Sequence, residues 1–287
     1  MNRRSFLKKM LGAFIATVGV TTGGYYYASE LETNMLQINK QTIDSKKIPP
    51  SFQYFKIVQF SDTHVGFHYS LEQLSDLVET INKQNPDMIV FTGDLIDEPQ
   101  TYKNHDQLIQ ILKQLKAPYG KYWVYGNHDH GGYGTNIIHD LMEAADFQLL
   151  LNEHQVIEKG KDKIIVAGID DAILGVPDVK NAMQDTQADN FIMLLAHEPD
   201  MADVAIDYPI DIQLSGHSHG GQVRLPFIGH LYTPSYAQNY IHGKYTFSPS
   251  DFILHVNRGI GTTRLPFRFF CKPELHVYSL VNHSMLS

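Results

Sequence analysis

Short apolar runs alternating with helical stretches set the rhythm of the chain from residue 55 onward. Phe55-Lys56-Ile57-Val58-Gln59-Phe60 reads as a strand with most of its surface buried. Leu71, Leu74, Leu77, Val78 and Ile81 then recur at helical spacing, which predicts a helix over 70–84 that Asn85-Pro86 stops. Met88-Ile89-Val90-Phe91 fits a second buried strand, and a helix over 105–116 and a strand over 122–125 repeat the alternation. Beyond it the pattern is richer in strands, expected at 147–151, 154–158, 163–168, 191–195, 211–214, 252–257 and 274–280, with a helix at 179–186. Pro199 is placed to open a further helix at its first turn. There is no internal repeat and no low-complexity segment.

A polar motif follows directly on five of these apolar runs. They are Ser61-Asp62-Thr63-His64, Thr92-Gly93-Asp94, Gly126-Asn127-His128-Asp129, Ala196-His197-Glu198-Pro199 and Ser215-Gly216-His217-Ser218-His219-Gly220-Gly221. In open α/β sheets ligand sites collect at the carboxyl ends of strands, so five strand ends can converge on one place.

Length and charge narrow the choices. At 287 residues the chain can bury one substantial core. A formal charge of −8 and a pI near 6.0 exclude general nucleic-acid binding, which needs Lys and Arg against phosphates. Cys271 is the one cysteine, so no intrachain disulfide can form and the compartment must be read elsewhere. Asn2-Arg3-Arg4-Ser5-Phe6-Leu7-Lys8-Lys9, followed by an apolar stretch over 11–20, resembles a twin-arginine export signal. The apolar stretch is shorter than the roughly 20 residues a spanning helix needs, and extending it through Tyr27 reaches that length. Cleavage near Ala28-Ser29 and retention as an anchor both fit. The expected division is a signal or anchor at 1–29, a linker or edge segment at 30–53 ending in Pro49-Pro50-Ser51, and a catalytic domain at 54–287.

Each motif has a bland reading by itself. Asp62-x-His64 could be a solvated turn, Gly93-Asp94 is a common loop start, and His197 alone would more often be a surface or core histidine. Together Asp62, His64, Asp94, Asn127, His197, His217 and His219 supply oxygen and nitrogen donors and no thiolate. Structural zinc sites close with four ligands, usually including Cys. Two divalent cations about 3.5–4 Å apart, bridged by a carboxylate and a hydroxide, would use such a donor set and leave positions open for catalysis.

The ordered motifs resemble the metallophosphoesterase (calcineurin-like phosphoesterase) superfamily over residues 55–280. The runs Arg258-Gly259-Ile260-Gly261, Pro266-Phe267-Arg268-Phe269 and Lys272-Pro273-Glu274-Leu275 are similar to a bacterial wall- or membrane-associated subgroup, some members of which carry twin-arginine signals. The resemblance implies an α/β (α+β) fold, a two-sheet β-sandwich flanked by helices (αββα). It implies that Asp62, His64 and His219 bind one metal, that Asn127, His197 and His217 bind the second, and that Asp94 bridges them. His128 would face the substrate as general acid, with Asp129 placed to orient it. The expected reaction is hydrolysis of a phosphoester or pyrophosphate bond by hydroxide attack in line with the leaving group.

Mixed His and carboxylate donors suit Mn, Fe or Zn better than Mg or Ca. The expected substrate is a phosphorylated small molecule, a lipid or an envelope polymer. The expected location is extracellular, in the cell wall or on the outer face of the cytoplasmic membrane, reached through the twin-arginine export machinery. The apolar runs Leu225-Pro226-Phe227-Ile228 and Leu265-Pro266-Phe267 are either lipid or membrane contacts or ordinary core. Arg258, Arg264 and Arg268 either bind a second phosphate or a lipid headgroup or pair structurally, and His130, the nearest further histidine, is either on a loop that could reach the substrate or outside the site. The alternative from another class is a metal-loaded wall- or membrane-binding protein with a vestigial site, against which every ligand position and His128 are intact.

Overall fold

The computed structural model describes residues 3–130 and 135–285. Its first half alternates as expected: α1 (Arg3–Tyr26), β1 (Gln37–Asp44), β2 (Lys56–Phe60), α2 (Leu71–Lys83), β3 (Met88–Phe91), α3 (His105–Leu112), β4 (Lys121–Trp123), α4 (Thr135–Ala144) and β5 (Gln148–Leu149). The second half holds β6 (Glu153–Lys159), β7 (Asp162–Gly168), α5 (Val179–Ala182), β8 (Ile192–Leu195), α6 (Ala202–Ala205) and β9 (Ile212–Ser215). A small hairpin, β10 (Arg224–Leu225) and β11 (Gly229–His230), precedes β12 (Gly243–Thr246), β13 (Ile253–Val256) and β14 (Glu274–Val281).

These strands make two six-stranded sheets, ordered β1-β14-β2-β3-β4-β5 and β12-β13-β9-β8-β7-β6. In the first, β2, β3, β4 and β5 run parallel; in the second, β7, β8, β9 and β13 do. Parallel strands covered on both faces must be apolar on both, which is why these segments read as continuous apolar runs rather than alternating ones. Ile57, Val90, Val124, Val166, Met193, Leu195 and Leu214 fill the space between the sheets. Val58, Phe60, Ile89, Phe91 and Trp123 point the other way, onto Leu74, Leu77, Val78 and Ile81 of α2 and onto α3 and α4. On the far side Ile165, Ala167, Ile192 and Leu194 meet Val179 and Ala182 of α5 and Ala202 and Ala205 of α6. The result is an α/β two-sheet sandwich with helices on both outer faces.

Several elements differ from the expected bounds. The helix expected over 105–116 ends at Leu112, because the chain tightens into a turn and the Asn82 side chain takes the Lys116 N–H at 2.9 Å. In the segment expected as linker or edge, residues 37–44 form β1, which adds in parallel to β14 at the rim of the first sheet. Helix α4 has no counterpart in the expected elements, although Ile138, Leu141, Met142 and Ala145 are buried at helical spacing. Along α1 no residue is buried, and no helix among the described residues is long and apolar enough to cross a membrane. Residues 27–34 continue α1 as a π-turn and a 3₁₀ turn and pack on the domain, with Ala28 and Glu32 buried.

The first turn of α2 is closed by reciprocal bonds: Gln73 N donates to Ser70 Oγ at 3.2 Å and Ser70 N donates to Gln73 Oε1 at 2.8 Å. Such a box satisfies two helix N–H groups that have no partner within the helix. Ser70→Ala should therefore cost about 1 kcal/mol of stability, read as a lower urea midpoint at unchanged m value.

Candidate metal centre

Backbone pairing continues past the strand ends and brings the polar motifs side by side. Beyond β2 and β3, Asp62 N donates to Gly93 O at 2.9 Å, His64 N to Asp94 O at 3.2 Å and Val65 N to Leu95 O at 2.9 Å. Beyond β8 and β9, Gly216 N donates to His197 O at 3.0 Å. The two sheets are tied across the gap by His217 N, which donates to the Asp62 carboxylate at 3.0 Å. Close approach requires glycine here: a Cβ on Gly126 would overlap the Asp94 carboxylate and the His197 ring. Asp62, His64, Asp94, His217 and His219 all take positive φ, between 43° and 65°. Backbone of that kind costs roughly 1–3 kcal/mol per non-glycine residue and persists only where its surroundings enforce it.

The side chains then form two buried groups, Asp62 with His64 and His219, and Asp94 with His197 and His217. His64 Nε2 and His219 Nε2 are 3.0 Å apart, and His217 Nδ1 and His197 Nε2 are 3.1 Å apart. Nitrogens sharing one cation at about 2.0–2.1 Å would lie about 3 Å from each other. Asp94 Oδ2 stands between the groups, 3.5 Å from His64 Nε2 and 3.3 Å from His197 Nε2.

Carbonyl oxygens, which only accept hydrogen bonds, decide which imidazole nitrogen faces inward. His197 Nδ1 donates to Thr92 O at 2.6 Å and so presents Nε2. His217 Nε2 donates to Ser235 O at 2.9 Å and so presents Nδ1. Partners of this kind orient metal-binding histidines. Burial, with the His197 charge adding, pushes His217 down to about 3. Burial and the nearby His64 and Arg268 hold His219 well below the usual imidazole range. Both are therefore neutral, the form that binds metal. Burial raises Asp62 because its carboxylate charge is out of water, a charge that a bound cation would balance.

Asn127 lies half-buried in the turn after β4, and its Oδ1 is buried without a hydrogen-bond partner. An orphaned carboxamide oxygen, on a residue whose chain neighbours Gly126 and His128 both lie against Asp94, fits a cation. His128 stacks edge-on against His64 at 4.6 Å, and its Nδ1 donates to Asp97 O at 2.7 Å. Burial lowers its pKa, but the charges of Asp94, Asp97 and Asp129 and the Asp97 hydrogen bond outweigh it, and the net direction is upward. The expectation for Asp129 changes. Its carboxylate accepts from Asp94 N at 2.6 Å, Leu95 N at 2.9 Å and Gly126 N at 3.1 Å, so it clamps the backbone of the Asp94 loop. The atom that holds the His128 ring is the Asp97 carbonyl.

Other expected participants fall into place outside the two groups. His130 Nε2 pairs with Asp170 Oδ1 at 3.0 Å, while Gly131 and Gly132 of its loop lie outside the described residues. Arg258 binds Glu274, with Nε 2.6 Å from Oε2. Arg268 is fully buried, donating to the carbonyls of Gly261 at 3.0 Å, Arg258 at 2.9 Å and Cys271 at 3.2 Å, with Nη2 3.4 Å from His219 Nδ1.

Two acidic residues were not singled out from sequence. Asp97 forms a third group with His64 and His128, its Oδ1 3.1 Å from His64 Nδ1, close enough for an ion pair but not aligned for a hydrogen bond. Its spacing from Asp94 on one loop was the available signal. Glu32, fully buried, accepts from Phe270 N at 3.0 Å and from Cys271 N. The loop it grips is the one whose Cys271 Sγ–H donates to His219 O at 3.2 Å. Nothing local in the sequence marks Glu32, since its partners are more than 230 residues away.

Glu32→Ala would leave the two N–H groups without acceptors, costing about 2 kcal/mol or about 4–8 °C in melting temperature. Because the loop backs His219, a lower metal content in the purified variant should accompany the shift. Glu32→Gln, which keeps one acceptor oxygen, should fall between.

Comparison with known proteins identifies the family. Residues 55–221 match the family model described as calcineurin-like phosphoesterase. The chain is 47% identical to the metallophosphoesterase YkuE of Bacillus subtilis (strain 168), over 98% of each chain. It is 27% identical to the phosphodiesterase YaeI of Escherichia coli (strain K12), covering 98% of this chain and 100% of that one. Among solved structures, TT1561 of Thermus thermophilus is similar with a TM-score of 0.47 at 13% identity, over 71% of this chain and 89% of that one. With the two buried His and Asp groups in place, the chain belongs to the calcineurin-like phosphoesterase family and is a metal-dependent phosphoesterase.

Proposed function

We propose that the chain cleaves a phosphoester or pyrophosphate bond of a cell-envelope substrate at a two-cation centre. In this reading Asp62, His64 and His219 hold one cation, Asn127, His197 and His217 hold the second, and Asp94 serves both. The observation that carries it is the position of Asp94 Oδ2, within 3.5 Å of one imidazole from each buried group. Divalent cations there would neutralise phosphoryl charge and make bound water acidic. The mixed nitrogen and oxygen donors favour Mn, Fe or Zn.

The chain's own residues supply the rest. His128 is only partly buried and carries a raised pKa, so it can hold a proton and pass it to the departing oxygen. The Asp97 carbonyl fixes the ring, and Asp129 fixes the backbone on which Asp94 stands. The Arg3-Arg4 pattern at the head of α1 supports export by the twin-arginine route, which puts the reaction outside the cytoplasm.

With Mn supplied, the purified chain should hydrolyse bis-p-nitrophenyl phosphate, lose that activity to EDTA and regain it with added metal. His128→Ala should lower kcat by about 10²–10⁴ while metal analysis still finds both cations. A parallel loss of metal would make His128 a ligand and overturn its assigned role. Replacing Arg3 and Arg4 together by Lys should leave the protein in the cytoplasmic fraction of a bacterial host, and unchanged export would contradict the signal reading.

A further inference from the structure

A groove of about 370 Å³ opens directly from the candidate metal centre, within the range of small-molecule sites. Its inner end is made by His217 and His219, and its walls by Val223, Leu231, Tyr232, Pro234, Leu265 and Phe267. Two of the polar side chains along it, Gln222 and Ser218, are already engaged. Gln222 Nε2 donates to the carbonyls of Thr263 at 3.0 Å and Leu265 at 3.1 Å, and its Oε1 accepts from Thr263 N at 3.0 Å. Ser218 Oγ donates to Ile241 O at 2.6 Å. A nucleoside would need polar groups to read its base and sugar, and these walls offer it an apolar surface instead.

The outer rim is apolar as well. Leu231 and Leu265 of the wall are 56% and 46% exposed, and the β10–β11 hairpin, which lies between Val223 and Leu231 in the chain, carries Phe227 and Ile228 at its tip, 108% and 71% exposed. Phe267 meets the ring of Tyr25 at 6.1 Å, so the groove wall runs on into the end of α1, whose Phe6, Leu7, Met10, Leu11, Phe14 and Ile15 are exposed. Arg264 sits at the groove with its guanidinium 4.8 Å over the Tyr232 ring and Nη1 2.7 Å from the Tyr232 hydroxyl. An apolar channel with a charged centre at its inner end, a cation along it and apolar side chains around its mouth matches one kind of molecule. That molecule is an amphiphile at a lipid surface.

Building on the phosphoesterase reading above, we propose that the groove holds the hydrocarbon chain of a lipid phosphoester whose phosphoryl group lies at the His217–His219 end. The chain then does more than add affinity. Seated along a fixed wall, it sets where the phosphoryl group stops, which converts binding of the non-reacting part into correct placement of the reacting part.

The test uses the full chain loaded with Mn and a series of p-nitrophenyl phosphodiesters whose second alcohol is methanol, octanol or hexadecanol, the longest offered in phosphatidylcholine vesicles. Bis-p-nitrophenyl phosphate is run beside them. The groove predicts that kcat/KM rises about tenfold or more from methyl to octyl, since each buried methylene adds to binding. In the double variant Leu231→Gln, Leu265→Gln the octyl-to-methyl ratio should fall toward one. Both positions are about half exposed, so the substitutions spare the core, and the wild-type series is informative by itself. Metal-dependent turnover of bis-p-nitrophenyl phosphate with no chain-length preference would overturn the groove and leave the phosphoesterase reading standing. That outcome combined with a dimeric mass in light scattering would assign the groove to a second copy of the chain. No metal-dependent turnover of any diester, nor of p-nitrophenyl phosphate run beside them, would remove both readings.

Discussion

Buried carboxylates and imidazoles aimed at one another dominate this structure. Asp62 and Asp94 are almost completely out of water, and four histidine rings point nitrogens at two spots beside them. Left alone, such a group is costly, because charge is poorly stabilised away from water and facing donors find no partners. A pair of divalent cations would answer both difficulties, and much of the surrounding architecture holds these donors together at a spacing that such ions could use.

The sandwich does this by ending its central strands at one level. β2, β3 and β4 of the first sheet and β8 and β9 of the second deliver their carboxyl ends to the same region, where loop backbones pair with each other in place of the strands. The loops then turn sharply through left-handed backbone at five of the donor residues. Asp129, Arg268 and Glu32 bear the cost of that geometry. One clamps the Asp94 loop, one fills the space behind His219 with a buried charge bonded to three carbonyls, and one holds the loop that carries Arg268. Glu32 belongs to a turn directly continuous with α1, so the chain next to the export-like segment is built into the support of the centre.

The sequence made the centre legible because each donor group follows a buried strand, and buried parallel strands have a plain apolar signature. Helix α2, with strong periodicity and a stop at Asn85-Pro86, was equally readable. What escaped was set by distance along the chain or by direction in space. Glu32 lies in a polar stretch and meets partners more than 230 residues away, a contact that no local pattern encodes. The family resemblance implied that Asp129, next to His128, orients the ring. The turn sends its carboxylate back to the Asp94 backbone instead, leaving the Asp97 carbonyl to hold His128. The apolar runs over 225–228 and 265–267 could have been core or surface, and only the fold shows Leu265 half exposed on a groove that reaches His217 and His219, with Phe227 and Ile228 exposed at the tip of a hairpin.

The central claim is geometric: two cations share Asp94. Anomalous diffraction at the Mn edge from crystals of the Mn-loaded chain tests it most directly. The account predicts two peaks about 3.5–4 Å apart, one beside Asp62, His64 and His219 and one beside His197 and His217, with Asp94 contacting both. A single peak, or one held instead by His64, Asp97 and His128, would contradict it.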